Sequence, residues 1–173
     1  MADLMAGFGR ETITPPAGVH MMGYASRTEP ATGARDDLFA SAVALSDGGT
    51  PVVIVALDVA SLDRDEVDAL KRRVEGLTSV PPERVLTNTS HTHAGPMVAR
   101  RPGLTYETDY VEDMLDRAAR AAATAVGDLG PAMLYVGSAP VDIGMNRRER
   151  TPEGEIILGV NPEGQRLAEV TVW

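Results

Sequence analysis

The sequence predicts an α/β fold, with a mixed β-sheet and flanking helices. Short apolar runs rich in β-branched residues alternate along the chain with two segments in which apolar residues recur at helical spacing. A Gly-rich turn signal joins two of the apolar runs. The resulting order of strand, hairpin, helix, strand, helix and further strands is typical of an α/β protein with a mixed sheet.

The first half of the chain predicts one short strand and one hairpin. Residues 8–14 alternate weakly between polar and apolar and stop at two prolines, which indicates a short strand. Residues 38–49 alternate and end in Asp-Gly-Gly, a hairpin signal, and 51–60 form an apolar run typical of a buried strand. The intervening segment 15–37 is long for a loop, and loops of that length are usually functional.

Two segments predict amphipathic helices, 62–77 and 105–126. Asp63 is the expected N-cap of the first. Its apolar positions are Val67, Leu70, Val74 and Leu77. Those of the second helix are Tyr110, Met114, Ala118, Ala121 and Ala125. The other predicted strands are 84–90, 131–141, 155–160 and 166–173.

Composition narrows the classes of function. The chain has 173 residues, enough for one domain, and is 43% apolar, as in ordinary globular proteins. Its net charge of −9 argues against nucleic-acid binding, which needs clustered basic residues. It has no cysteine, so a metal site would have to use His, carboxylate, Tyr or backbone oxygen. No signal peptide or membrane span is evident, which makes the cytoplasm the expected location.

The segment NTSHTHAGP, residues 88–96, contains two of the three histidines. His91 and His93 follow the predicted strand 84–90, and ligand sites of α/β sheets lie at the carboxyl ends of strands. If the backbone stays extended, both imidazoles point to one side, as in many His-x-His metal sites. The alternative is an incidental pair of loop histidines.

Two further residues have open interpretations. Asp58 follows the buried strand 51–60, where it is either a hydrogen-bond partner of a metal-bound histidine or a turn aspartate. His20 lies in a loop rich in Gly and Met, and we interpret it as a plain loop residue.

Several segments together resemble the neutral/alkaline non-lysosomal ceramidase family, and they occur in the family's order. NTSHTHAGP is similar to its THTHSGP motif, FGRETITPPAG to its opening segment with Glu11 in place of Asp, and HMMGYA to its NMMGYA with His20 in place of Asn. The 36–58 hairpin is similar to the family's, with Ser41 where Arg is usual. The segment MNRRE, residues 145–149, resembles its INRSR segment.

The resemblance implies a zinc-dependent amide hydrolase that cleaves N-acylsphingosine to sphingosine and a fatty acid. By correspondence with the family's motifs, His91 is a zinc ligand, His93 lies beside the reacting centre, and Arg147 is an active-site residue that binds or polarises the substrate. The resemblance implies a ceramide-like lipid amide as substrate, and it leaves secretion open as the location.

In the family, the other zinc ligands (a second His, a Glu and a Tyr) and the catalytic Ser come later in the chain. We therefore expect residues 1–173 to be the N-terminal portion of an incomplete catalytic domain, truncated and inactive by itself. Two alternatives stay open: a non-catalytic scaffold or binding module, and a zinc hydrolase acting on another amide or ester.

Overall fold

The computed structural model describes residues 4–172, which divide into two compact units. The first extends to Ala132 and the second begins at Met133. No helix in the described range is long and apolar enough to cross a membrane.

The first unit contains a five-stranded sheet in the order β4-β3-β2-β1-β5. Its strands are β1 (Met5–Thr12), β2 (Phe39–Ser46), β3 (Val52–Leu57), β4 (Val85–Thr89) and β5 (Gly130–Pro131). Only β3 and β4 run parallel, and the other neighbours are antiparallel. The predicted mixed sheet and hairpin are therefore confirmed.

One face of this sheet is buried because alternate residues of its central strands are small or β-branched. Ala40, Ala42 and Ala44 of β2 and Val53 and Val55 of β3 are all buried. Strand side chains alternate between faces, so this period-two burial places all five on the helix-covered side.

Two helices cover that face, α1 (Arg64–Thr78) and α2 (Thr108–Gly127). Helix α2 packs on β1, β2 and β3, and α1 packs against α2. The apolar stripe expected along α2 is confirmed, whereas Leu77 of the expected α1 stripe is 57% exposed. Helix α1 ends one residue later, at Thr78, and Ser79 follows in the left-handed conformation.

Glycine allows β1 and α2 to approach each other closely. A Cβ atom on Gly7 or Gly9 would collide with the backbone carbonyl oxygens of Ala125 and Ala121. Any larger residue would therefore have to push the helix off the sheet.

The second unit has two separate two-stranded ribbons and, within the described residues, no helix. Strands β6 (Gly137–Pro140) and β9 (Glu169–Val172) form one, and β7 (Arg148–Arg150) and β8 (Ile156–Leu158) form the other. The single strand predicted for 131–141 is wrong, because the chain forms β5, leaves the sheet and starts a new strand at Gly137.

Candidate active site

His91 and His93 lie just beyond the carboxyl end of β4, beside the parallel strand β3. The expected extended backbone is wrong here: His91 has φ 57°, in the left-handed region. The two imidazoles nevertheless come together, with ring centroids 5.1 Å apart and planes at 64°. The turn of the chain, and not a shared strand face, brings the pair together.

His91 is oriented by a backbone carbonyl. Its Nδ1 lies 2.6 Å from the oxygen of Ala60, just after β3. A carbonyl oxygen only accepts hydrogen bonds, so the neutral ring carries its proton on Nδ1 and keeps a lone pair on Nε2. His91 is exposed as a residue and lines the pocket described below. A ring whose second nitrogen donates to a carbonyl is the usual arrangement of a metal-binding histidine.

Asp58 does not orient either histidine. Its carboxylate accepts a hydrogen bond of 3.1 Å from the backbone N–H of Phe39, and its own N–H donates to the Phe39 carbonyl at 2.9 Å. These bonds join the two strand ends of the hairpin. The structure therefore supports the interpretation of Asp58 as a turn residue.

A pocket of about 320 Å³ opens at the histidine pair. Besides His91 and His93, its lining includes two guanidinium groups, Arg27 and Arg101, and apolar residues such as Met97, but no carboxylate from the described residues. The pocket thus combines hydrogen-bond donors with apolar surface in a chain that is acidic overall.

Asp63 secures one wall of this pocket. Its carboxylate accepts hydrogen bonds from the backbone N–H of Arg100 at 2.8 Å and from Nη1 of Arg101 at 3.0 Å. Burial acts to raise the pKa of Asp63, but the bonds and charges of the two arginines outweigh it and lower that pKa below 3.8. Asp63 is the N-cap residue of α1, as expected, but it makes no side-chain capping bond, because its carboxylate binds the two arginines.

Glu66 lies close to the arginine pair that Asp63 binds, with Nε of Arg100 3.8 Å from its Oε1. It is only 3% exposed, and Tyr106 donates a hydrogen bond of 2.6 Å from its hydroxyl to Oε1. Oε2 is buried without a hydrogen-bond partner. Burial, followed by the bond to Glu66, raises the pKa of Tyr106, which stays a neutral donor. Sequence reasoning missed this pair, because charged residues in 62–77 look like a solvated helix face.

His20 has a structural contact of its own. Its Nδ1 lies 2.9 Å from Oε1 of Glu107, which also accepts a hydrogen bond of 2.7 Å from the His20 backbone N–H. His20 does not line the pocket at the other two histidines. Its interpretation as a loop residue agrees with this arrangement.

Arg147 belongs to the second unit, where it lies just before β7. Its Nε donates to the carbonyl of Gly159 at 2.7 Å. Its predicted role in the active site stays a prediction.

The described residues form no complete metal site. In residues 4–172, no three His, Asp or Glu side chains are grouped closely enough to hold a metal ion. The Nε2 of His91 is of the kind that a zinc site accepts, a neutral imidazole nitrogen.

A family model and two solved structures all relate this chain to ceramidases. The family model described as "Neutral/alkaline non-lysosomal ceramidase, N-terminal" matches residues 4–152. The fold is similar to the neutral ceramidase from Pseudomonas aeruginosa, with 22% identity and a TM-score of 0.74. It is also similar to a solved structure described as "Ceramidase complexed with C2", with 23% identity and a TM-score of 0.76.

Each structural match covers 86% of this chain and 25% of the solved one, so the chain spans a quarter of the length of these proteins. No curated protein matches the chain.

Proposed function

Because the chain belongs to the neutral/alkaline non-lysosomal ceramidase family, we propose that it contributes to the active site of a zinc-dependent amide hydrolase acting on N-acyl sphingoid lipids. The observation that carries the metal proposal is the bond from His91 Nδ1 to the Ala60 carbonyl, which leaves Nε2 of the neutral ring free to bind a ligand. The protein thereby keeps this imidazole in the tautomer that a metal ligand requires.

The chain's own residues have distinct roles in this proposal. His91 is one zinc ligand, and residues beyond those described here complete the ligand set. Zinc bound there would polarise the scissile carbonyl and lower the pKa of a bound water. His93, with its ring beside that of His91, donates a hydrogen bond to the oxygen on which negative charge develops. For Arg147 we retain the role in binding the substrate carbonyl that the family resemblance implies.

The residues that line the pocket support a substrate in which an amide carries apolar substituents. Donors are concentrated at the histidines and at Arg101, while Met97 and Leu104 provide apolar surface. A neutral carbonyl attached to hydrocarbon matches both parts of this lining. The similar ceramidase that was solved in complex with C2 supports the same substrate class by analogy.

The test uses the full-length protein, purified in the presence of zinc, and a fluorescent N-acylsphingosine as the substrate. We expect His91→Ala to abolish both stoichiometric zinc and fatty-acid release. The matched control is His20→Gln, which removes a histidine outside the pocket and should retain both. Stoichiometric zinc in His91→Ala would refute the metal assignment. If the protein binds zinc through His91 but hydrolyses only another amide or an ester, and not N-acylsphingosine, the ceramide-type substrate is excluded.

A further inference from the structure

The segment 22–27 lies against His93 and is joined to it by one arginine. Nη1 of Arg27 donates hydrogen bonds to two backbone carbonyls, that of Met22 at 3.2 Å and that of His93 at 3.1 Å. The two acceptors lie far apart in sequence, on opposite segments that border the pocket. The two segments are also joined by a backbone bond of 3.0 Å from Met22 N–H to the Gly95 carbonyl, and the guanidinium nitrogen of Arg27 adds a side-chain link that reaches the His93 backbone itself.

The same arginine holds an aromatic ring against the imidazole. Its guanidinium carbon lies 5.0 Å from the ring centre of Tyr24, within the range of a cation–π contact. Tyr24 in turn meets His93 edge to face, with ring centroids 5.2 Å apart and planes at 86°. Arg27 thus restrains His93 twice, through its backbone carbonyl and through the ring beside its side chain.

Gly23 shows how closely this segment is fitted to the histidine. Its φ of 114° favours glycine, and a Cβ atom there would lie 2.5 Å from the Cβ of His93. The backbone of the segment therefore contacts His93 directly and blocks its movement to that side.

The contacts of Arg27 are not those of an ordinary surface ion pair. Among the salt bridges of residues 4–172, none includes Arg27, and its side chain is half-buried. Two carbonyls and a ring face are its partners instead. A guanidinium suits these contacts because its N–H groups donate in fixed directions while its planar face can lie over a ring, whereas the ammonium of lysine has donors but no planar face.

We propose that Arg27 is a positioning residue that fixes the His93 imidazole at the pocket, by joining segment 22–27 to the His93 backbone and by holding Tyr24 against the ring. The proposal deepens the proposed function and rests on it where it concerns turnover. An imidazole that donates to a developing oxyanion must be held to within a fraction of an ångström, so a residue with this role affects the rate more than the binding of substrate.

The first test is independent of catalysis and uses the full-length protein. Imidazole ¹H–¹⁵N correlation spectra are recorded, and the signals of His20, His91 and His93 are each assigned by a His→Gln variant. In Arg27→Met we expect the His93 ring signals to shift and broaden, with those of His20 unchanged. The matched control is Arg10→Met, which removes another guanidinium over a ring, that of Phe39 at 3.4 Å, but outside the pocket. His93 signals that stay in place in Arg27→Met would overturn the proposal.

The second test measures turnover in the full-length protein. We expect Arg27→Met to lower kcat by about 10- to 100-fold with little change in KM, as a misplacement of about an ångström does. Arg27→Lys, which keeps a donor but not the planar face, should recover part of kcat. An unchanged kcat in Arg27→Met would refute the positioning role. If the His93 signals shift in Arg27→Met but the full-length wild-type protein has no amide hydrolase activity, the proposed function is refuted. The structural role of Arg27 is then still supported.

Discussion

The two units of the molecule differ in how far the apolar residues of their strands are buried. In the first, the apolar strand residues that face the helices are fully buried, as at Val53 and Val55. In the second, Ile156 and Leu158 also lie in a strand, yet they are 60% and 82% exposed. An apolar run therefore predicts a strand in both units, and its residues are buried on the face that a helix of the described chain covers.

Breaking the close contact between β1 and α2 should have the largest effect. We expect Gly9→Val to destabilise the protein by more than about 4 kcal/mol, because its side chain would collide with the α2 backbone at Ala121. The control, Gly137→Val, lies in the second unit where a Cβ meets nothing within 4 Å, and should cost less than about 0.5 kcal/mol. Urea titration followed by far-ultraviolet circular dichroism, at wavelengths that report helix and strand, measures both variants, and similar midpoints for the two would contradict the account.

Truncating one buried and one exposed apolar side chain tests the same difference between the two units, with a smaller expected loss of stability. Met114 is fully buried on α2, so Met114→Ala should cost about 2–4 kcal/mol. Leu158→Ala removes a side chain that is already mostly exposed and should cost less than about 0.5 kcal/mol. A Leu158→Ala midpoint as low as that of Met114→Ala would show that the second unit has a core of its own.

The buried carboxylate behind the pocket wall should have an intermediate effect. Tyr106→Phe removes the hydroxyl that donates to Glu66, and an unsatisfied buried acceptor costs roughly 1–3 kcal/mol. Tyr135→Phe removes an exposed hydroxyl of the second unit and serves as the control. Equal denaturation midpoints for Tyr106→Phe and the wild type would show that this bond contributes nothing to stability.

Acid should weaken the wall that Asp63 secures, with the smallest effect of the four. The folded pKa of Asp63 is lowered, so its contribution is complete above the unfolded pKa near 3.8 and is lost as pH falls through the lower folded value. Because Asp63 is one-third exposed, we expect roughly 1 kcal/mol or less. Asp63→Asn should remove this part of the acid sensitivity, measured as the difference in urea midpoint between pH 7 and about pH 2. An unchanged pH dependence would contradict the assignment.

The elements of the first unit could be predicted because each has its own local pattern. The hairpin was indicated by alternation up to Asp47-Gly48-Gly49, and α2 by apolar residues at helical spacing. The strand predicted for 131–141 failed because β5 pairs with β1 for only two residues before the chain leaves the sheet. How long a pairing lasts depends on the partner strand, which a local pattern does not include.

The site was predictable only in part for the same reason. The residues of the His-x-His motif are adjacent in sequence, so the pair itself was evident. The groups that orient them are distant: Ala60 is 31 residues from His91, and Arg27 is 66 residues from His93. No spacing rule connects such contacts, and the signal that could have indicated Arg27 is only its position in a long Gly-rich loop.

The central claim is that His91 is held with a free Nε2 to bind zinc. Nitrogen-15 spectra of the imidazoles of the full-length protein, recorded at neutral pH before and after zinc is added, test this claim most directly. We predict that His91 is in the Nδ1–H tautomer without zinc and that zinc then shifts its Nε2, while His20 does not respond. An Nε2–H tautomer at His91, or a zinc response at His20 without one at His91, would contradict the account.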